Sequence, residues 1–303
     1  MQFIPIFAAV KKLAQIISPI TVELAQFEAF FEKTLCAETE PMDSIMHYVL
    51  DSRGKRLRPI LVLLCAKLFG EINEQTLRAA TFVEMVHSAT IIHDDVVDDA
   101  NQRRGKSSVK AQFGNLSAVL AGDYLLAKAM LLLAQPEDHA ILQEMFSTTA
   151  AMSEWELMQS CPCHSEAFEG IDPNHTSLTR DDMPSKTAQT SMSFRWESMD
   201  VWADYLEIIT RKTALLMRSC CAAGALSVDA PPEQVQQISD FGLNFGILFQ
   251  LRDDILDGEN MDIAQALLPV YYETTLQTVE GFPSSEIVDT IRDLIMFCAE
   301  RNS

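Results

Sequence analysis

The chain has 303 residues, 48% of them hydrophobic, with 43 acidic against 23 basic side chains and a formal charge of −20. That length and apolar share support a sizeable buried core, and the charge argues against nucleic acid or anionic lipid as a partner. An anionic substrate would need a local basic patch or bound cations. Only 11 Gly and 12 Pro interrupt a sequence dominated by helix formers. Strand-like alternation is scarce, which predicts an all-α fold. We expect one domain over 1–303 that carries a loop insertion at 160–198.

Residues 1–34 read as one or two amphipathic helices. The first 20 are apolar, but Lys11 and Lys12 stand in their middle, unlike the leading charge of a signal peptide. No later stretch supplies the roughly 18 uncharged apolar residues that a bilayer span needs, so the expectation is a soluble, cytoplasmic protein. Residues 41–52 form a short helix that leads into Gly54-Lys55-Arg56-Leu57-Arg58-Pro59. An apolar helix spans 60–69 and ends at Gly70, where a positive φ is commonly tolerated. A long helix over 74–100 ends on an acidic run, and 101–108 is a polar, basic loop. Helices follow at 115–134 and 138–159. Beyond the insertion they resume at 200–227, 232–256, about 262–278 and 284–300. The seven cysteines are scattered, which suits free thiols in a reducing compartment. Cys161-Pro162-Cys163-His164 offers zinc half a site without a second ligand pair.

Asp94, Asp95 and Asp98 stand at i, i+1 and i+4, and the same spacing recurs at Asp253, Asp254 and Asp257. On a helix, i and i+4 share a face, where like charges repel unless a cation lies between them. Each run ends a strongly apolar segment, so each is presented at the edge of a core. One such run alone equally fits a solvated helix end; two with identical spacing point to an oxygen-rich site for Mg²⁺. Basic residues accompany them: Lys55 and Arg58, then Arg103-Arg104 after the first run. Such side chains suit phosphate oxygens, although Arg103 and Arg104 also fit a salt bridge with the aspartates. Lys212-Thr213 and Gln250 are further candidates, each with an alternative as a satisfied core residue. His87, two turns before Asp94, reads as a hydrogen-bond donor to a phosphate or as a core histidine. A histidine-rich metal site, as in His-Asp phosphohydrolases, is poorly supplied by six histidines.

Taken together these residues resemble the trans-prenyl diphosphate synthases, the polyprenyl synthetase family, over about 42–159 and 205–258. The carrying motifs are Gly54 to Pro59, His87 to Asp99 with Arg103-Arg104-Gly105, Phe113-Gly114-Asn115, Ala121-Gly122-Asp123, Lys212-Thr213, and Phe249-Gln250 with Asp253, Asp254 and Asp257. The resemblance implies a helical bundle of the isoprenoid synthase type around a central active-site cavity. It implies a homodimer that condenses isopentenyl diphosphate with an allylic diphosphate, farnesyl or geranylgeranyl. The allylic substrate would bind through three Mg²⁺ ions to both aspartate runs, aided by Arg103, Lys212, Thr213, Phe249 and Gln250. Asp94, Asp95, Asp98, Arg103, Lys212 and Asp253 would carry catalysis. Isopentenyl diphosphate would take a metal-free pocket of Gly54, Lys55, Arg58, His87 and Arg104.

In this family the product tail grows down the helix of the first run, and short-chain members place an aromatic floor near the position of Ala89. A small residue there implies an octaprenyl-like product, with Met85 and Met130 as deeper floor candidates. The sequence departs from the family in its insertion, in a short region after 258, and in Gly258-Glu259-Asn260-Met261-Asp262, which lacks the usual lid lysine. That departure keeps a second reading open, a catalytically weak or regulatory partner subunit of a heteromeric synthase. A terpene cyclase has no need of the basic pocket.

Overall fold

The computed structural model describes residues 12–52, 54–103, 105–160 and 201–301. Arg104, the Cys161–Cys163–His164 group and nearly all of the expected insertion lie outside the described residues. Among the described residues the chain is all-α apart from one two-stranded hairpin. Helix α1 (Leu13–Ile16) and a short 3-10 turn lead into α2 (Thr21–Leu35) and α3 (Glu40–Asp51). Next come α4 (Leu57–Phe69) and α5 (Glu74–Val97), then the hairpin β1 (Gln102–Arg103) with β2 (Lys106–Ser107). The short α6 (Val109–Phe113) precedes α7 (Asn115–Leu132) and α8 (His139–Ser160). Later come α9 (Val201–Ile209), a π turn (Thr210–Ala214), α10 (Leu215–Leu226), α11 (Pro232–Asp257), α12 (Met261–Glu280) and α13 (Glu286–Glu300).

Helix α4 is apolar on every side, so it lies inside the bundle: Pro59 through Ala66 are all buried. Helix α10 packs against α4, α8 and α11, and α5 packs against α4 and α7. Small residues permit these contacts. A Cβ on Gly224 would stand 2.4 Å from the Val62 carbonyl oxygen, and one on Gly246 would stand 2.5 Å from Ala214 Cα. Side chains at these points would force α10 off α4 and α11 off the π turn. Phe27, Phe31, Phe82, Phe241 and Phe245 are fully buried, each side chain contributing about 1.5–3 kcal/mol on removal from water.

Most expected helices are present, with three corrections. The segment expected as a loop over 101–108 holds the hairpin, closed by Gly105 at φ 76°. Helix α4 begins three residues earlier than expected, because Pro59 falls in its first turn, where no N–H is needed. Gly70 ends α4 with φ −171°, an extended rather than left-handed conformation. Its bare Cα instead admits Val228, whose Cβ would lie 3.1 Å from an added Cβ. Helix α7 is long and apolar enough to cross a membrane by length and composition, with mean hydropathy 1.3 over 18 residues, although it is not an uncharged stretch. It carries Asp123, beside His93, and Lys128, whose Nζ donates to the Thr34 carbonyl at 2.7 Å. Ala118, Ala121, Leu125 and Ala129 face the core, whereas Leu116, Leu120 and Leu131 are exposed.

Candidate active site

Helix α5 presents the first aspartate run. Its start is fixed by Asn73, whose side chain accepts from the Thr76 N–H at 3.0 Å, the usual way of satisfying a first-turn donor. Its last turn carries Asp94 and Asp95, and Asp98 is the C-cap, its N–H donating to the Asp94 carbonyl at 2.8 Å. Asp95 is 2% exposed and accepts Arg103 Nε at 3.0 Å and Nη2 at 2.9 Å on one oxygen. The hairpin delivers this arginine. It is anchored where Tyr48 donates to the Ser107 carbonyl and Lys106 to the Asp51 carbonyl, each at 2.7 Å. Arg103 therefore takes the ion pair with the aspartates that its position in the sequence also allowed. Burial pushes the Asp94 carboxyl above its usual range; Glu156 and Asp98 add to this, and Arg103 and Lys212 oppose it.

Helix α11 presents the second run. Asp254 is buried and held at both oxygens, by Tyr205 Oη at 2.6 Å and Gln250 Nε2 at 2.7 Å. Thr213 Oγ1 donates to Gln250 Oε1 at 2.7 Å. Thr213 and Lys212 lie in the π turn, not in regular helix as expected; such turns are common at functional sites. Thr213 thus reaches the second run while Lys212 lies within electrostatic range of Asp94, and the turn links the two runs. Asp253 accepts Arg301 Nη2 at 2.6 Å. Burial raises its carboxyl, Arg301 opposes this, and Asp257 adds to it.

The connector between α3 and α4 supplies the basic segment. Arg56 stands at its end with φ 56°. Its guanidinium lies 4.7 Å from the Phe31 ring centroid and bonds Glu28 at 3.0 Å and Glu84 at 2.6 Å. Burial alone would lower the Arg56 pKa, but Glu84 and Glu28 outweigh it and raise it. Arg56 is thus a neutralised wall. Arg58 Nη1 donates to His87 Nε2 at 2.9 Å, which leaves the ring proton on Nδ1.

Two cavities meet at this wall. One, of about 150 Å³, reaches toward Asp95 and Arg103; the other, of about 550 Å³, is lined by Lys55, Arg58, Phe249 and Arg301. Gly54, Arg56, Glu84 and His87 line both. The larger lies within the roughly 300–1,000 Å³ usual for small-molecule sites. The structure therefore brings together Gly54, Lys55, Arg58, His87 and Phe249, and joins Lys212, Thr213 and Gln250 to the aspartate runs. Ala89 and Met85 are fully buried in the core, whereas Met130 is 48% exposed on α7.

Reasoning from sequence missed Arg56, Glu84, Glu156, Tyr205 and Arg301. Arg56 stood in one of these motifs and its left-handed φ had no local sign; Glu84, Glu156 and Tyr205 are single helical residues and Arg301 caps the last helix, each distant in sequence from the residue it serves.

Among the described residues no three His, Cys, Asp or Glu side chains converge as a ready cage. The donor set still fits Mg²⁺, which binds through one or two carboxylates and completes its shell with water and substrate phosphates. Asp94, Asp98, Asp253 and Asp257 would hold such ions, with Asp95 and Asp254 behind them. Asp94 and Asp253 both sit where their negative charge is disfavoured without a cation.

A helical bundle with two aspartate-tipped helices beside a basic cavity is the architecture of isoprenoid synthases. A polyprenyl synthase from Caulobacter crescentus superposes with a TM-score of 0.77 at 21% identity, over 97% of this chain and 99% of that one. The polyprenyl synthetase family profile matches residues 39–262, and the chain belongs to that family. It is 33% identical over 286 residues to heptaprenyl diphosphate synthase component 2 of Geobacillus stearothermophilus, covering 89% of this chain and 78% of the relative. It is 32% identical over 210 residues to the octaprenyl diphosphate synthase of Haemophilus influenzae, covering 69% of this chain and 54% of that protein.

Proposed function

We propose that the chain is a prenyltransferase that condenses isopentenyl diphosphate with farnesyl or geranylgeranyl diphosphate to give a long-chain all-trans polyprenyl diphosphate. The observation that carries this is the shared wall: a cavity lined by Lys55, Arg58 and His87 adjoins one that opens to the first aspartate run. Two diphosphates can then lie side by side. Bound Mg²⁺ would stabilise the charge of the leaving diphosphate. The aspartate runs would hold the ions that face the allylic diphosphate, and Lys212 and Arg103 add positive charge beside it. Lys55 and Arg58 hold the second diphosphate, with His87 fixed by Arg58. The allylic carbon–oxygen bond breaks, the isopentenyl double bond supplies the new carbon–carbon bond, and the departing diphosphate takes the proton that restores the alkene. No side-chain nucleophile is needed. The Caulobacter structure is described as a complex with calcium and isoprenyl diphosphate, which supports a divalent cation on this fold.

Purified protein given Mg²⁺, isopentenyl diphosphate and farnesyl diphosphate is expected to form longer prenyl diphosphates, resolved by chromatography against chain-length standards. A second copy of the chain would cover the exposed Leu116, Leu120 and Leu131 face of α7, so the active species is expected to sediment as a dimer. The name of the Geobacillus relative, a numbered component, favours one alternative, a subunit of a heteromeric synthase. Product formed only after a different subunit is added would establish that alternative.

Ala89 is a small buried residue on the helix that carries the first run, in the region where the family resemblance places the product tail. Ala89→Phe is therefore expected to shorten the product by one or more isoprene units while leaving farnesyl diphosphate consumption within a few fold. An unchanged product ladder would place the floor elsewhere.

A further inference from the structure

After Arg252 the sequence contains only two basic residues, Arg292 and Arg301. Arg292 pairs with Asp289 at the surface. Arg301 is 7% exposed. Its Nη2 donates to Asp253 Oδ1 at 2.6 Å and to the Phe249 carbonyl at 3.2 Å, and its guanidinium lies 4.1 Å from the Phe249 ring centroid. Its own carbonyl accepts Arg252 Nε at 2.8 Å, so the backbone is held while the side chain extends toward α11. Arg301 Nε is buried and makes no hydrogen bond among the described residues. The same side chain lines the cavity that holds Lys55, Arg58 and His87. A guanidinium thus stands between the second aspartate run and the basic cavity.

We propose that Arg301 is an exchange cation: it neutralises Asp253 while the site is empty, and turns into the basic cavity to bind isopentenyl diphosphate once a divalent cation takes that carboxylate. The inference rests on the synthase reading above. Two cations on one carboxylate oxygen repel each other, so metal binding expels the guanidinium. The released fork offers paired N–H donors suited to phosphate oxygens, and Phe249 remains beneath it as a stacking surface. One event, occupation of Asp253, then readies the second substrate's pocket.

The test is binding by the whole chain without turnover. Mn²⁺ titrated into substrate-free protein and followed by electron paramagnetic resonance is expected to bind Arg301→Gln about tenfold more tightly than wild type. Calorimetry with isopentenyl diphosphate in the presence of Mn²⁺ is expected to show about tenfold weaker binding to the same variant. Each change corresponds to one charge-assisted hydrogen bond. Arg301→Lys keeps the charge but loses the fork, and is expected to weaken isopentenyl diphosphate binding about threefold; this reading stands even if Arg301→Gln folds poorly. Mn²⁺ affinity equal to or below wild type in Arg301→Gln, or unchanged isopentenyl diphosphate affinity in both variants, would overturn the exchange. Absence of elongated product from the wild-type chain would overturn only the synthase reading, since both binding readouts remain decisive for Arg301.

Discussion

Replacing Asp94 with Ala is expected to lower kcat by about 10²–10⁴-fold, because metal-mediated charge stabilisation is worth several kcal/mol and each roughly 1.4 kcal/mol is a factor of ten. The surroundings of Asp94 separate this loss from a folding defect. Burial, Glu156 and Asp98 all disfavour its charge, so the metal-free protein loses an unfavourable group when it becomes Ala. Thermal stability without metal should therefore equal or exceed wild type. Asp95→Ala makes a useful contrast: it leaves Arg103 without its carboxylate partner and should reduce both activity and stability. Initial rates with radiolabelled isopentenyl diphosphate at saturating Mg²⁺, together with melts in chelator, measure both halves. A wild-type kcat in Asp94→Ala would show that the first aspartate run does not hold a catalytic ion.

Arg56→Met is the substitution expected to cost most in stability, about 3–5 kcal/mol, the usual result of removing one partner from a buried ion pair. Arg56 and Glu84 side chains are 9% and 8% exposed. Without the guanidinium, the buried Glu84 carboxylate loses its 2.6 Å ion-pair partner. The melting temperature should fall by roughly 6 °C or more. Because Arg56 and Glu84 line both cavities, activity at temperatures well below the melt should fall too. Adding Glu84→Leu should restore much of the lost stability, since a packed apolar pair often equals a buried ion pair, without restoring activity. A melt of Arg56→Met within a degree of wild type would show that Lys55, Arg58 or solvent offsets the Glu84 carboxylate instead.

The two aspartate runs, the basic segment before α4 and the order of the helices were legible from the sequence, for a physical reason. Each is written in neighbouring residues, as a carboxylate spacing, a Gly-Lys-Arg cluster or an apolar period. What escaped is what the chain assembles from afar. Tyr205 reaches Asp254 across 49 positions, and Arg301 reaches Asp253 across 48. Neither residue carries a neighbouring motif, so folding alone pairs them. Arg103 shows a different limit. Both of its readings, phosphate ligand and partner of an aspartate, fitted the same spacing, and only the hairpin geometry placed it on Asp95. Gly70 was correctly placed at a helix end for the wrong reason, since its small size serves Val228 rather than a turn in φ.

The π turn at Thr210–Ala214 has a consequence for register. An α-helix advances roughly 100° per residue, so one residue accommodated in a wider turn sets the phase of everything before it. Tyr205 lies upstream of that turn, and Thr213 lies within it. Deleting a single residue there would let the segment relax to a continuous α-helix and swing the Tyr205 hydroxyl a quarter turn or more away from Asp254. The second aspartate run is thus timed by one surplus residue, much as a single tooth sets the mesh of two gears.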